Sequence, residues 1–330
     1  MAVPGQSQLF TAFGELLTTT YRQYVHKNPV DQISRQNALY SRIASKGNAK
    51  VVSGGLSLIE PLDYQANSTF TRYSGYDPFN TGASDVITAA EFPWRQASVV
   101  VTSSGLELRS NMGGEQIIDL AKSKITNAER TFANALSTDM YSDGSQPNQI
   151  GGIQLGIADV PTNTVGGINA SLWPFWRNQV QSAAAPMQGG SAIVPSSTTI
   201  QSLMLPLYLA LTRGADYPDT IVMSGDYFTF YENSLTDLKR YTSSEEGRGG
   251  FVSLKYKLSD VFYDSASSGL PNSHGYFINT DYVKFIAHKD ANRTIKPELQ
   301  STNQDAVIIP ILYQGNMTYS CRMLQGVMKA

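Results

Sequence analysis

The sequence has one cysteine, few charged residues and no long apolar run, and each absence removes a class of protein. Because Cys321 is the single cysteine among 330 residues, no disulfide can form within the chain and a cysteine-based metal cluster is excluded. A membrane-spanning helix requires a run of about 18 apolar residues, and the sequence contains no such run. The N-terminus, MAVPGQSQLF, lacks the basic start and apolar stretch of a secretory signal, so we expect a soluble protein of the cytoplasm with no membrane partner.

Charge is scarce and nearly balanced. Asp, Glu, Lys and Arg make up 16% of the chain and the net charge is −2, whereas a typical soluble domain has roughly 25% charged residues. Tight binding to a phosphate backbone needs a concentrated Lys/Arg surface, so we expect only weak, non-specific contact with nucleic acid. The low charge fits either a surface covered by other protein or a solvated surface rich in Ser, Thr, Asn and Gly.

Motifs that carry catalytic chemistry are also missing. The sequence has no phosphate-binding loop, no dinucleotide-binding glycine pattern and no His-Glu-x-x-His motif. Ser224 follows an apolar run in MSGDY, but the flanking glycines of a nucleophile elbow are absent, and we interpret it as the N-cap of a helix. The histidines are far apart in sequence: His26, His274 and His288. We therefore predict no catalytic residue, no cofactor and no metal site.

The N-terminal region has helical periodicity. Apolar residues spaced by three and four predict an amphipathic helix over Gln8 to Val25. Asn28-Pro29 is typical of a helix start and opens a second helix that ends near Gly47. The two helices form either an N-terminal arm or ordinary packing helices of one compact domain.

The region from Val51 to Asn111 has a different pattern. GLSLIEPLDYQANSTFTRYSGYDPFNTG alternates weakly, with a turn predicted at Tyr76-Asp77-Pro78, and is followed by ITAAEFPWRQASVVVTSSGLEL. The second segment contains residues that favour a strand: Val99, Val101, Leu106 and Leu108. The two segments together predict one long two-stranded hairpin. Because an isolated two-stranded hairpin is marginally stable in water, it must lie on the rest of the chain or on a neighbouring subunit.

The remaining chain is predicted to be α+β. A helix from Gly114 to Tyr141 spans about 40 Å and ends before Asp143-Gly144. Its apolar stripe comprises Ile117, Ala121, Ile125, Ala128, Phe132, Leu136 and Met140. Further predicted elements are a helix from about Thr198 to Thr212 containing Pro206, a strand at Ile221 to Met223, a short helix through Tyr227 and Tyr231, and strands at FVSLKYKL, GYFINTDYVKFIAH and AVIIPILYQGNMTYSCRML. The last is predicted to be a hairpin that turns at Gly315-Asn316.

In this order, the elements resemble the major capsid proteins of tailed bacteriophages, which have the Hong Kong-type capsid fold. The segments that carry the resemblance best are TRGADYPDTIVMSGDYFTFYENSL and GYFINTDYVKFIAH. The resemblance covers nearly the whole chain. It implies residues 1–50 as an N-terminal arm, 51–111 as an extended hairpin loop, 112–150 and 297–330 as a peripheral domain with a spine helix, and 151–296 as an axial domain.

The resemblance also implies a function. The chain is expected to assemble with itself, as hexamers and pentamers, into an icosahedral virion shell around double-stranded DNA, in the cytoplasm of a bacterial host. In that family the extended hairpin lies over an adjacent subunit, so it needs no core within its own subunit. The residues expected at contacts between subunits are Arg72, Tyr73, Tyr76, Phe79, Trp94 and Arg95.

Other partners are a separate scaffolding protein, a portal and, as a further candidate, a cementing protein. The scaffolding protein is expected because only about fifty residues precede the hairpin, whereas some relatives carry a scaffolding segment ahead of the arm. Certain relatives join subunits through a lysine on the extended loop, but no lysine lies between Lys50 and Lys122, so non-covalent contacts are expected here. Two alternatives stay open: an encapsulin-like nanocompartment shell, and a cytoplasmic enzyme with an unrecognised site.

Overall fold

The computed structural model describes residues 38–110, 120–235, 253–264, 268–297, 299–300 and 305–330. The chain divides into two compact units. The small unit includes Ala97–Ala135 and Arg293–Tyr313, and the large unit comprises Gln36–Gln96, Leu136–Asn292 and Gln314–Ala330. The helix predicted over residues 8–25 lies outside the described residues.

Helices and strands are mixed along the chain, as the α+β prediction requires. The helices are α1 Ala38–Ser45, α2 Gly105–Ser110, α3 Leu120–Met140, α4 Ile153–Gly156, α5 Ile200–Ala210 and α6 Gly225–Ser234. The strands are β1 Ala49–Val52, β2 Ser57–Asp63, β3 Ile87–Pro93, β4 Arg95–Ser104, β5 Thr164–Val165, β6 Ile168–Asn169, β7 Gln179–Ser182, β8 Thr220–Met223, β9 Ser253–Tyr256, β10 Ser259–Tyr263, β11 His274–Ile278, β12 Val283–Ile295, β13 Leu299–Gln300, β14 Ala306–Tyr319 and β15 Gly326–Lys329. None of the helices among the described residues is both long and apolar enough to cross a membrane.

The core of the large unit is a six-stranded mixed sheet with α5 and α6 packed against it. The strand order is β7-β15-β11-β8-β10-β9, and β7–β15 and β8–β10 are its parallel pairs. Leu203, Leu207 and Leu211 are 0% exposed and lie in one cluster with residues of β8, β10 and β11. The apolar spacing of α5 therefore predicted both the helix and its buried face.

The predicted strand at GYFINTDYVKFIAH is divided in two. β11 ends at Ile278, a 3-10 turn occupies Thr280–Tyr282, and β12 begins at Val283. The side chain of Asn279 accepts a hydrogen bond from the backbone N–H of Asp281. Because an Asn side chain competes with the ladder for backbone donors, the turn interrupts the strand at this point.

The prediction of a hairpin that turns at Gly315-Asn316 is wrong. β14 continues through both residues from Ala306 to Tyr319. Asn316 Nδ2 donates to the carbonyl of Pro93 at 2.8 Å, and Asn316 Oδ1 accepts from the N–H of Gly151 at 3.0 Å. The Asn side chain thus bonds neighbouring segments instead of supporting a turn.

The small unit has a core of its own. Val101 from β4, Ala128 from α3 and Ile311 from β14 are buried together, and β4 pairs with β14. The rings of Phe132 and Tyr313 lie 5.9 Å apart. Ala128 and Phe132 belong to the apolar stripe that predicted this helix; its predicted start at Gly114 lies outside the described residues.

The hairpin is shorter than the sequence predicted. β2 and β3 pair antiparallel from Ser57↔Pro93 to Asp63↔Ile87, after which β4 leaves to pair with β14. Leu106 and Leu108, predicted in a strand, lie in α2. A capping box starts this helix: the N–H of Glu107 donates to Ser104 Oγ, and the N–H of Ser104 donates to Glu107 Oε2, both at 3.2 Å. The spacing Ser-x-x-Glu is visible in the sequence and was missed.

Candidate inter-subunit surface

The paired part of the hairpin, here called the hairpin base, comprises residues 57–64 and 86–93. Its strands alternate between a buried and an exposed face. The buried face consists of Leu58, Glu60, Leu62, Ala90 and Phe92, each at most 6% exposed. The expectation that the hairpin needs no core within its own subunit is therefore wrong for the base, because the period-two pattern buries one face on the same chain.

A close backbone approach holds the base at Gly166. The N–H of Glu91 donates to the carbonyl of Gly166 at 2.9 Å. Gly166 has a φ of +59°, and a Cβ on it would lie 2.9 Å from Ala90 Cβ and 3.1 Å from the Phe92 ring. Both the backbone conformation and the space require glycine at this position.

Polar contacts fix the base as well. Lys284 Nζ lies 2.6 Å from Glu60 Oε2, and Thr318 Oγ1 donates to Glu60 Oε1 at 2.9 Å. At the far end of the base, Tyr64 packs on Phe175 and Trp173 with ring centroids 5.3 Å and 5.9 Å away. The N–H of Tyr64 donates to the carbonyl of Val86 at 3.0 Å, which closes the paired region.

Residues 65–85 form the hairpin tip. The structure describes all of them, and they contain neither helix nor strand. A turn at Ser74–Asp77 reverses the chain: the N–H of Asp77 donates to the Ser74 carbonyl, and the N–H of Ser74 donates to Asp77 Oδ2. Gly75 has a φ of +57°. The turn begins two residues before the predicted Tyr76-Asp77-Pro78, because Gly75 adopts the left-handed conformation most easily.

Four of the six residues predicted at subunit contacts lie on the tip. Tyr73 and Phe79 are 61% and 65% exposed and Tyr76 is fully exposed. The rings of Tyr73 and Phe79 meet edge to face with centroids 4.9 Å apart. Arg72 Cζ lies 5.6 Å from the ring centroid of Phe70, an exposed aromatic residue in the same segment that the sequence analysis did not select. Exposed aromatic and arginine side chains in one place are typical of protein–protein interfaces.

The other two predicted contact residues lie at the opposite end of β3. Trp94 is half-buried; its Nε1–H donates to the Gly55 carbonyl at 2.9 Å, and its ring lies 5.7 Å from the His288 ring. Arg95 is also half-buried. Arg72, Tyr73, Tyr76 and Phe79 therefore share the exposed tip, whereas Trp94 packs against its own chain.

Ser224 and His274 lie close together but not as a catalytic pair. Ser224 occupies the predicted N-cap position of α6; its hydroxyl donates to Asp226 and accepts from the backbone N–H of His274. The His274 ring bonds elsewhere, through Nε2 to Asp159 Oδ2 at 3.0 Å and through Nδ1 to the Asn272 carbonyl at 2.7 Å. Both imidazole nitrogens are thus hydrogen-bonded to groups other than the Ser224 hydroxyl.

The contact between His274 and Asp159 shifts the pKa of both side chains. Burial alone lowers the pKa of His274, but the hydrogen bond to Asp159 and the Asn272 carbonyl outweigh it, so the pKa lies above its usual value. The hydrogen bond from His274 lowers the pKa of Asp159. No group of three His, Cys, Asp or Glu side chains within the described ranges could hold a metal ion, and His26 lies outside those ranges.

Comparison with known proteins shows the fold. No family model and no curated protein matches the chain. Among solved structures, it is similar to the cyanophage A-1(L) capsid asymmetric unit, with a TM-score of 0.69 and 15% identity over 94% of this chain and 96% of that chain. It is also similar to the capsid of Myoviridae phage XM1 (TM-score 0.54, 11% identity, 93% and 96% covered) and to the capsid of a native GTA particle (TM-score 0.51, 13% identity, 92% and 94% covered). The chain therefore has the Hong Kong-type α+β fold of phage capsid proteins, which confirms the fold that its sequence resemblance predicted.

Proposed function

We propose that the chain is the shell subunit of a tailed-phage capsid, which assembles with itself into hexamers, pentamers and a closed icosahedral container for double-stranded DNA. The observation that carries the proposal is the likeness to a phage capsid subunit along 94% of the chain. Fold alone does not establish the function of an enzyme, because its activity depends on a few side chains. A shell subunit acts through its whole shape, so a full-length likeness is more informative here.

The hairpin tip is the proposed contact surface. Its exposed aromatic residues, with Arg72 among them, have the composition of an interface centre. In a heterologous contact, the tip of one copy meets a different surface of the next, and repetition around an axis closes a ring. Arg72, Tyr73, Tyr76 and Phe79 are proposed as anchors, and Trp94 and Arg95 as contacts at the other end of β3.

A structural role is favoured over an enzymatic one. Ser224 and His274, which lie close together, bond to Asp226, Asp159 and backbone groups instead of pairing through their side chains. An encapsulin-like nanocompartment shell is the alternative within the same fold. The phage shell is favoured over it because the solved structures named above are phage and GTA particles.

The proposed shell has further partners. We include a separate scaffolding protein, a portal, a candidate cementing protein and weak non-specific contact with packaged DNA, and we propose assembly in the cytoplasm of a bacterial host. The near-neutral charge supports weak DNA contact, because a strongly basic wall would bind the packaged DNA too tightly. The arm, loop, peripheral and axial assignments predicted above are part of the same proposal.

Self-association is the direct test. The purified full chain, with co-expressed scaffolding protein where required, is examined by multi-angle light scattering and electron microscopy. Rings or shells of megadalton mass support the proposal. A compact monomer under all these conditions, at micromolar concentration, contradicts it.

A denaturing gel tests how the subunits are held. Because residues 51–121 contain no lysine, the hairpin has no amine side chain to form an isopeptide bond. We expect particles boiled in detergent to give one band near 36.0 kDa. A ladder that survives reducing agent shows instead that a lysine outside this segment forms covalent links.

A further inference from the structure

The buried face of the hairpin base contains one charged residue, a glutamate, among apolar side chains. Glu60 lies between Leu58 and Leu62 on this face and is 5% exposed. An apolar side chain at this position would continue the pattern of the strand and bury more apolar area. A carboxylate there is costly to desolvate unless its charge and its lone pairs are matched.

The two carboxylate oxygens of Glu60 accept hydrogen bonds from side chains on two different strands. Oε2 accepts from Lys284 Nζ on β12 at 2.6 Å, and Oε1 accepts from Thr318 Oγ1 on β14 at 2.9 Å. β12 and β14 are neighbours in one sheet. The anchor formed by Glu60, Lys284 and Thr318 thus ties the hairpin to two adjacent strands at once.

This anchor restricts the hairpin in a way that its apolar contacts do not. Apolar burial is non-directional, so Leu58, Leu62 and Phe92 tolerate a small slide or rotation of the ribbon at little cost. Charge-assisted hydrogen bonds are short and angle-dependent. With two such bonds to two strands, the position and the angle of β2 are specified together.

We propose that Glu60, Lys284 and Thr318 are positioning residues that set the direction in which the hairpin leaves the subunit. This inference rests on the proposed shell function, in which the tip must reach the same place on the next copy in every contact. An angular error at the base is multiplied along the hairpin, and a heterologous contact with the wrong rotation fails to close a ring. The anchor therefore contributes geometric uniformity more than stability.

The test separates geometry from stability. In the double variant Glu60→Met/Lys284→Met, apolar side chains of similar length replace the buried ion pair, a change that is often neutral or stabilising in other proteins. The control Glu232→Met/Lys289→Met makes the same two replacements at exposed positions. Net charge is unchanged in both.

Two readouts are made on each protein. Spin labels at Thr81→Cys on the tip and Ser191→Cys on the large unit, in a Cys321→Ser background, report the distribution of tip-to-body distances in the unassembled chain. Electron microscopy reports the diameters of assembled particles. Melting temperatures establish that each variant is folded.

We expect Glu60→Met/Lys284→Met to stay folded, with a melting temperature lowered at most by the loss of the acceptor of the buried Thr318 hydroxyl. It should nevertheless give a broader distance distribution and lose uniform particles, while the control matches the parent. A distance distribution as narrow as the parent's, with particles of unchanged diameter, overturns the anchor. Should the double variant fail to fold, Glu60→Gln is used in its place, because it keeps the side-chain volume and an oxygen that can accept from Thr318. A broader tip-to-body distance distribution in Glu60→Gln then supports the anchor, and an unchanged distribution overturns it. If the parent itself never assembles, the shell function fails, whereas the spin-label result still supports or overturns the anchor.

Discussion

The hairpin base and the hairpin tip are consecutive parts of one segment, yet their apolar side chains lie in opposite surroundings. At the base, Ala90 and Phe92 are 0% and 4% exposed, whereas Tyr76 at the tip is fully exposed. The base has period-two alternation and pairs along seven residues of each strand. The tip has aromatic residues without that period. Alternation therefore marks the part that is buried within the subunit, whereas the exposed aromatic residues of the tip are those that the proposed function assigns to contacts with another copy.

This difference separates two kinds of substitution effect. Changes at the base should lower the stability of the isolated subunit, because they remove contacts within the chain. Changes at the tip should leave that stability nearly unaltered and weaken association.

Phe92→Ala should have the largest effect on the isolated subunit. Truncating a buried Phe removes its transfer free energy and leaves a cavity, so the free energy of unfolding should fall by about 3–5 kcal/mol. Chemical denaturation followed by circular dichroism measures the loss. Ile59→Ala, on the exposed face of β2 where Ile59 is 63% exposed, is the control and should change stability by about 0.5 kcal/mol or less. Equal losses for the two variants would break the distinction between the faces.

Phe79→Ala tests the tip. As an exposed residue it should change the free energy of unfolding by about 0.5 kcal/mol or less, while loss of an interface anchor should weaken association by about 2 kcal/mol or more. Light scattering during assembly measures the second effect. Thr81→Ala, also exposed on the tip, is the matched control with little apolar area to lose. Assembly of Phe79→Ala at the parent rate and concentration would remove this residue from the interface.

Gly166→Ala tests how closely the base approaches the chain beneath it. Gly166 and Gly167 have φ values of +59° and +76°, but a Cβ on Gly167 would meet nothing within 4 Å. Gly167→Ala should therefore cost about 1–2 kcal/mol for the backbone conformation alone. Gly166→Ala should cost more, because its Cβ also meets Ala90. Thermal unfolding of both variants gives the difference, and equal losses would show that the base shifts away without cost.

Trp94→Ala decides to which class this residue belongs. Because its indole N–H bonds to the Gly55 carbonyl within the chain, we expect a loss of about 1 kcal/mol in the free energy of unfolding. Denaturant titration of the unassembled subunit measures it. Unchanged stability with impaired assembly would show instead that Trp94 acts only at a subunit contact, like the proposed anchors of the tip.

His274→Gln should have the smallest effect and a characteristic pH dependence. The folded-state pKa of His274 is raised, so its contribution is fully present below the unfolded pKa of about 6.5 and is lost as pH rises through the folded value. The pKa of Asp159 is lowered, so its contribution is present above the unfolded pKa of about 3.9 and is lost as pH falls through the folded value. Because the Asp159 side chain is 43% exposed, solvent screening limits the pair to less than about 1 kcal/mol.

Unfolding free energies of the parent and His274→Gln at about pH 5.5 and 8 measure this dependence. The advantage of the parent should shrink at the higher pH, and assembly should be unaffected at either pH. An advantage that grows with pH would show that the pair does not raise the pKa of His274.

Local patterns predicted the elements that depend on nearby residues. The four-residue spacing of Leu203, Leu207 and Leu211 predicted α5 and its buried face, and the same spacing predicted that Ala128 and Phe132 of α3 are buried. A helix is closed by hydrogen bonds between residues four apart, so its pattern is contained in the local sequence. The exposure of Tyr73 and Phe79 could not be derived this way, because the same residues are equally suited to a core.

The sequence by itself determined the α+β class and the periodicity of the buried faces, since both depend on propensity and spacing over a few residues. Only the tertiary structure decided that β4 pairs with β14 instead of extending the hairpin, because strand partners are distant in sequence and several pairings satisfy the same alternation. It also decided the role of Glu60, whose partners Lys284 and Thr318 are 224 and 258 residues away. A glutamate in an alternating strand is ordinarily exposed, and its burial is tolerated here because the fold brings a lysine and a hydroxyl to its two oxygens.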